Sequence, residues 1–186
     1  TPLSEGVLTN AVLRVTRPSR QVYFLTGHGE YSIYEEKEQG LSIFAKFLSS
    51  NNMIAQNFVL GFEGQIPQDC DLLIVAGAQN FLTVQEENLI KDYLRHGGDA
   101  FFMVEHVLIT TPDKPLSQEA SKKNPSLNNI LNDWGVNVAE DVVVDLISHA
   151  GDDVGCPATR NYIPFKAIIK DLDYTFYIRP RSISFL

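Results

Sequence analysis

Four side chains that can carry protons or hold a cation stand where apolar runs give way to loops. His28 and Glu30 follow Val22–Thr26 in VYFLTGHGE, and Glu105 and His106 follow Ala100–Val104 in AFFMVEH. The carboxyl ends of parallel strands are where α/β sheets gather their ligands. If the first and fourth strands are near neighbours, a His/Glu cluster of this kind can polarise water or hold a divalent metal. The competing reading is structural: Gly27 and Gly29 permit a tight reversal, while His28 and Glu30 cap the strand and shape the loop. The spacing H-x-E in a loop fixes no ligand geometry by itself.

Other chemistries meet specific obstacles. A dinucleotide site needs G-x-G-x-x-G at the first strand-to-helix turn, and GHGEYS lacks the third glycine. A phosphate-binding loop would also be burdened by Glu30, Glu35, Glu36 and Glu38, because carboxylates repel phosphate. Nucleophilic catalysis in this kind of sheet puts Ser or Cys on a sharp, glycine-flanked turn after a central strand. The candidate turns are VAGAQN at Val75–Asn80, which carries Gly77, and MVEHVL at Met103–Leu108; neither offers a Cys or Ser. Cys70 precedes its strand and Cys156 lies in a loosely patterned late region, so both read as separate thiols. His149, Asp152 and Asp153 in HAGDDVG read as an acidic loop. No cofactor and no metal is expected.

The elements that must position these groups follow from periodicity. Leu8, Ala11, Val12 and Val15 mark an amphipathic helix, which Pro18 ends. Val22–Thr26 reads as a strand buried on both faces, since VYFL does not alternate. Leu41, Phe44, Ala45 and Leu48 mark a helix over Gly40–Asn51, followed by a weaker strand over Ile54–Leu60 and a strong one, DLLIVAG, over Asp71–Gly77. Thr83 and Glu86 form a capping box opening a helix that runs to His96, where Gly97 and Gly98 stop it. Ala100–Val104 is a further strand. After a polar excursion over Ile109–Ser126, Leu127, Ile130, Leu131 and Trp134 mark a helix closed by Gly135. Val142–Asp145, VVVD, reads as a fifth strand and Thr175–Ile178 as a sixth.

This order is that of a three-layer α/β domain, flavodoxin-like or glutaminase-like, with a mostly parallel sheet and helices on both faces. It reads as one domain over residues 1–186: helix and lead-in over 1–20, core over 21–145, and an extension over 146–186 packing on the core. A net charge of −8, with no cluster of Lys and Arg beyond SKK at Ser121–Lys123, argues against nucleic acid. No apolar run approaches the roughly 20 residues that span a bilayer. The chain opens on Thr1 without a leader pattern and reads as a segment of a longer protein.

VYFLTGHGE, the block Ile66–Glu105, the stretch LNNILNDWGVNVAEDVVVD at Leu127–Asp145 and the late segment Asn161–Leu186 stand in this order. Together they resemble the soluble domain of the auxiliary component of an uncharacterised ABC-type transport system, the group containing the gliding-motility auxiliary protein. The resemblance implies a fold related to class I glutaminases without their catalytic cysteine. It implies an extracytoplasmic, periplasmic domain of a membrane-anchored parent whose transmembrane helices lie outside this chain. The implied role is non-catalytic, with the permease and ATPase subunits of an ABC transporter, or another membrane partner, as the proteins served. A metal-assisted or carboxylate-driven hydrolase acting through His28, Glu30 and Glu105 on a small or carbohydrate substrate is the alternative. Two positions depart from the family pattern: Glu105-His106 stands where Asp-Pro is usual, and Phe165 where a His usually follows proline. The binding candidates are therefore Gly27, His28, Gly29, Glu30, Gly77, Glu105 and His106.

Overall fold

The computed structural model describes residues 5–37, 40–108, 115–162 and 172–186. The chain forms two compact units, Thr1–Glu105 and His106–Leu186. The first contains α1 (Glu5–Thr16), β1 (Arg20–Leu25), α2 (Ser42–Ser50), β2 (Met53–Phe58), α3 (Leu60–Glu63), β3 (Cys70–Ala76), α4 (Val84–Arg95) and β4 (Ala100–Met103). Its four strands are all parallel, in the order β2-β1-β3-β4. This is the α/β sheet with flanking helices that the periodicity anticipates.

Apolar strands without alternation are stable only when both faces are covered, and both are. Val22, Phe24, Ile74 and Ala76 pack with Leu41, Phe44, Ala45 and Leu48 on the α2 side, Phe24 meeting Phe44 edge-on at 6.1 Å between ring centres. Successive side chains alternate across a strand, so Leu73 and Val75 serve the opposite face; both are fully buried, as is Ile90 of α4. Each such buried side chain is worth about 2 kcal/mol relative to exposure, which makes this sheet the main source of stability in the first unit. Helix α1 is different: it forms as its spacing anticipates, yet none of its residues is buried.

The capping box of α4 is present as expected. Thr83 Oγ1 accepts from the Glu86 N–H, and the Glu86 carboxylate accepts from the Thr83 N–H at 2.8 Å. Two boundaries differ from the expectation. β2 ends at Phe58, because Leu60 turns the chain into the short helix α3, closed by Gly64 in the left-handed region. Cys70 is the first residue of β3 and does not precede it.

The second unit contains α5 (Asn128–Leu131), continued as a 3-10 turn to Trp134 and ended by Gly135 at φ +73°. Two antiparallel pairs follow: β5 (Val136–Val138) with β8 (Ile183–Phe185), and β6 (Ala158–Thr159) with β7 (Thr175–Phe176). The expected strand at Val142–Asp145 is not one. Val143 and Val144 are exposed, and the Asp145 carboxylate accepts the Ile147 and Ser148 N–H groups, curling the chain into a turn. The strand of this region is instead Val136–Val138, and the expected strand over Thr175–Ile178 is reduced to Thr175–Phe176. Parts of the polar excursion, residues 109–114, and the departure at Phe165 lie outside the described residues.

Candidate functional site

Strand order decides which loops meet. Because β3 lies beside β1, the loop after β1 is neighbour to the loop between β3 and α4. The backbone carbonyl of His28 accepts from the N–H groups of Gln79 and Asn80, both at 2.9 Å, tying the two loops together. Gly27 and Gly29, at φ +125° and +84°, turn the chain between these ties.

His28 and Glu30 do converge, and their third partner is Glu86 from the start of α4. The imidazole Nδ1 lies 3.2 Å from Glu30 Oε1, and Nε2 lies 3.2 Å from Glu86 Oε2. Glu30 Oε2 also accepts the backbone N–H of His28 at 2.7 Å. The side chains are almost closed off: 13% exposed for His28, 0% for Glu30 and 9% for Glu86. A neutral imidazole donates from one nitrogen only, so both contacts are hydrogen bonds at once only when the ring carries both protons. A general base must present a lone pair to its substrate; here both nitrogens face carboxylates of the protein itself. Among the described residues, no three of His, Cys, Asp or Glu are disposed to hold a metal ion.

Glu86 shows how the cluster is held. Burial alone would raise its carboxyl, but the N–H and hydroxyl of Thr83 and the neighbouring His28 together bring it below the ordinary glutamate range. A carboxyl lowered in the folded state stabilises above its unfolded value, and that contribution disappears as pH falls through the folded value. We therefore expect the urea midpoint of the wild type to fall more steeply than that of Glu86→Gln from about pH 5 downward. The glutamine still accepts from Thr83 but does not titrate. Parallel curves for the two proteins across that range would contradict this assignment.

The remaining candidates form a second feature at the same sheet edge. The Tyr31 N–H is held by the carbonyl of Ala76 at 2.9 Å, and its hydroxyl donates to Glu105. Burial first, and then Glu105, push the Tyr31 phenol up to about 12, so it is a protonated donor throughout the physiological range. Gly77, at φ +67°, lies beneath the ring: a Cβ there would stand 2.5 Å from Tyr31 Cε2. Tyr31, Leu41, Gly77, Met103, Val104 and Glu105 line a cavity of about 300 Å³. His106 opens the second unit, where its carbonyl accepts from Asn124 Nδ2 at 2.8 Å. Thus His28 and Glu30 share one cluster, Gly77 and Glu105 share one cavity, and His106 stands in neither.

Cys70, the thiol of the first unit, is not placed for catalysis at this edge. Both cysteines are unpaired. Cys70 begins β3, the opposite end of the strand from Gly77, about 20 Å away at strand rise. Burial pushes its thiol up, which lowers the thiolate fraction that nucleophilic attack requires.

Against known proteins, the model of the family described as "ABC-type uncharacterized transport system" matches residues 19–164. The chain belongs to this family. Helix α1 precedes the matched span. No curated protein matches the chain. Among solved structures it is similar to the mmIFT52 N-terminal domain, with a TM-score of 0.62 and 19% identity, over 89% of this chain and 68% of that one. At that identity the likeness concerns the fold, which is the glutaminase-like arrangement expected from the sequence. Among the described residues, no helix is long and apolar enough to cross a membrane.

Glu86 and Tyr31 are the site residues that sequence reasoning did not single out. Glu86 was legible as a cap, but its second role depends on β1 and β3 being adjacent. Tyr31 follows Glu30 directly; its signal is the glycine at the end of the strand beside it, since only Gly77 leaves room for the ring.

Proposed function

We propose that this chain is a non-catalytic, extracytoplasmic domain of an ABC-type transport auxiliary protein, and that it binds a partner segment or a small ligand. The binding place is the cavity lined by Tyr31, Gly77 and Glu105. The observation that carries this reading is the turn after β3, where a related hydrolytic sheet would keep its nucleophile. That position is Gly77, in a conformation unsuited to a side chain, and the Tyr31 ring occupies the space above it. The imidazole nearest this edge is already engaged on both sides by Glu30 and Glu86. Family membership supports the transport setting. The permease and ATPase subunits are the partners we infer, with the membrane reached through segments outside this chain.

Transport by cells carrying the parent protein is the test. Tyr31→Phe with Glu105→Gln removes the polar pair of the cavity while keeping its shape, and transport should fall at least tenfold with circular dichroism unchanged. Unimpaired transport would exclude this cavity as the binding place. Purified wild-type chain should show no turnover of ester, amide or glycoside substrates, and no stoichiometric metal by elemental analysis. Turnover, or bound metal, that is lost in His28→Ala would establish the hydrolase alternative instead.

A further inference from the structure

Glu86 spends only one of its two carboxylate oxygens on the cluster with His28. Oε2 accepts from the Thr83 N–H at 2.8 Å and from the Thr83 hydroxyl at 2.7 Å, and lies 3.2 Å from His28 Nε2. Oε1 accepts from no group among the described residues, although the residue as a whole is only 7% exposed. Among the described residues no fully enclosed side-chain oxygen lacks a partner, so Oε1 reaches solvent. Its open side lies toward Gly61 of α3. A Cβ there would stand 3.0 Å from Oε1 and would meet nothing else within 4 Å except the rest of that carboxyl. The absent side chain leaves the oxygen uncovered.

Gly61 and Glu86 both line a groove of about 550 Å³, bounded by Leu60 on α3 and by Gln85, Asn88, Leu89 and Asp92 on α4. Asp92 stands six residues beyond Glu86, about 9 Å further along the helix. Two carboxylates thus line the groove and no Lys or Arg does; Asp92 is shared with Arg95 at 3.2 Å, whereas Oε1 of Glu86 is shared with nothing. Glu86 stays ionised at neutral pH, its carboxyl lying below the ordinary glutamate range. An ionised carboxylate only accepts hydrogen bonds, so the group that completes it is a donor. Between the two common cationic donors the apolar lining decides. A guanidinium is more weakly hydrated than an ammonium and gives up less water against Leu60 and Leu89. Its five N–H groups can serve Oε1 and leave others for the amide oxygens of Gln85 and Asn88.

We propose that this groove receives an arginine side chain presented by a partner protein, with Oε1 of Glu86 as its anchor. Gln85, Asn88 and Asp92 are exposed, so the groove gives directly onto solvent. Pockets for small molecules enclose most of the ligand surface; a side chain carried on a partner's surface needs no such enclosure. The charge of −8 favours the approach of a basic surface, and arginine is among the residues that most often anchor protein interfaces. Because Oε2 is committed to Thr83 and His28, the guanidinium pairs with one oxygen only, and charge contributes more to recognition than the two-pronged fit. The site shares no lining residue with the cavity at Tyr31 and Glu105, so either can fail without the other.

Amide NMR titration of the 186-residue chain with N-acetyl-arginine amide, at constant ionic strength, tests this. The amides of Gly61, Gln85 and Asn88 should shift and saturate in the millimolar range, as suits a ligand this small. The citrulline analogue keeps the shape and loses the charge, and should bind at least tenfold more weakly. Gly61→Ala changes no charge and suits a helix better than glycine, yet its Cβ crowds Oε1; it too should weaken binding at least tenfold. Should Gly61→Ala disturb α3, Glu86→Gln keeps an acceptor for Thr83, removes the anchoring charge and should have the same effect. Shifts that never saturate, equal binding of the citrulline analogue, or affinity unchanged in folded Gly61→Ala or in Glu86→Gln would each overturn the proposal. Putrescine binding at least tenfold more tightly than the arginine amide would also overturn it, by making the occupant a free polyamine.

Discussion

Gly77→Val should destabilise the first unit by about 3 kcal/mol, a large effect for a single methyl-bearing side chain. Two costs combine. An L residue in the left-handed region costs about 1–2 kcal/mol, and a β-branched one fits it especially badly; Gly77 sits at φ +67°. The new Cβ would also stand 2.5 Å from Tyr31 Cε2, and the ring cannot withdraw without releasing its bond to Glu105. Because the chain has two compact units, amide exchange within β1 and β3 is the appropriate measurement, reporting the first unit alone. A double-mutant cycle separates the costs. Adding Tyr31→Ala to Gly77→Val should recover the steric part and leave the backbone part, so the two changes should couple favourably. A loss below about 1 kcal/mol for Gly77→Val, or strictly additive losses, would mean that the ring does not seal this turn.

Which features were readable in advance follows from how far apart their causes lie. VYFL and DLLIVAG announced buried parallel strands because burial on both faces demands continuous apolar runs, and they became β1 and β3. The Thr83–Glu86 capping box spans four residues and formed as written. VVVD has the same apolar character as those strands, yet it forms no ladder. Among the described residues it makes only single backbone bonds, Val143 N–H to the Pro180 carbonyl and Asp145 N–H to that of Val154, and leaves Val143 and Val144 exposed. Strand propensity is realised through partners more than through composition. The contact of His28 with Glu86 joins positions 58 residues apart. It required β1 and β3 to be adjacent, whereas the convergence anticipated from the sequence was between the first and fourth strands. With β3 interposed, His28 met Glu86, and Glu105 was left to Tyr31. Local rules thus wrote the elements, and the order of strands chose which loops became neighbours.

That choice gives Glu30 the second large effect. Its side chain is fully enclosed, one carboxylate oxygen accepting the His28 N–H at 2.7 Å and the other facing the imidazole at 3.2 Å. Glu30→Ala would leave a shielded N–H without its acceptor and take away one of the two anions around His28. Leaving a shielded donor without its acceptor costs about 1–3 kcal/mol, well beyond a surface ion pair at about 0–1 kcal/mol. Glu30→Gln separates the two contributions, since its amide oxygen can still accept from the backbone while its charge is gone. The expected order of stability, read by amide exchange in β1, is wild type, then Glu30→Gln, then Glu30→Ala. If His28 served catalysis and only leaned on Glu30, the alanine variant would lose turnover while keeping its fold. If the cluster is the bolt between the β1 loop and α4, the fold itself weakens, and the N-terminal amides of α4 should lose protection together with those of the loop. Stability unchanged in both variants would show that the enclosed carboxylate holds nothing together.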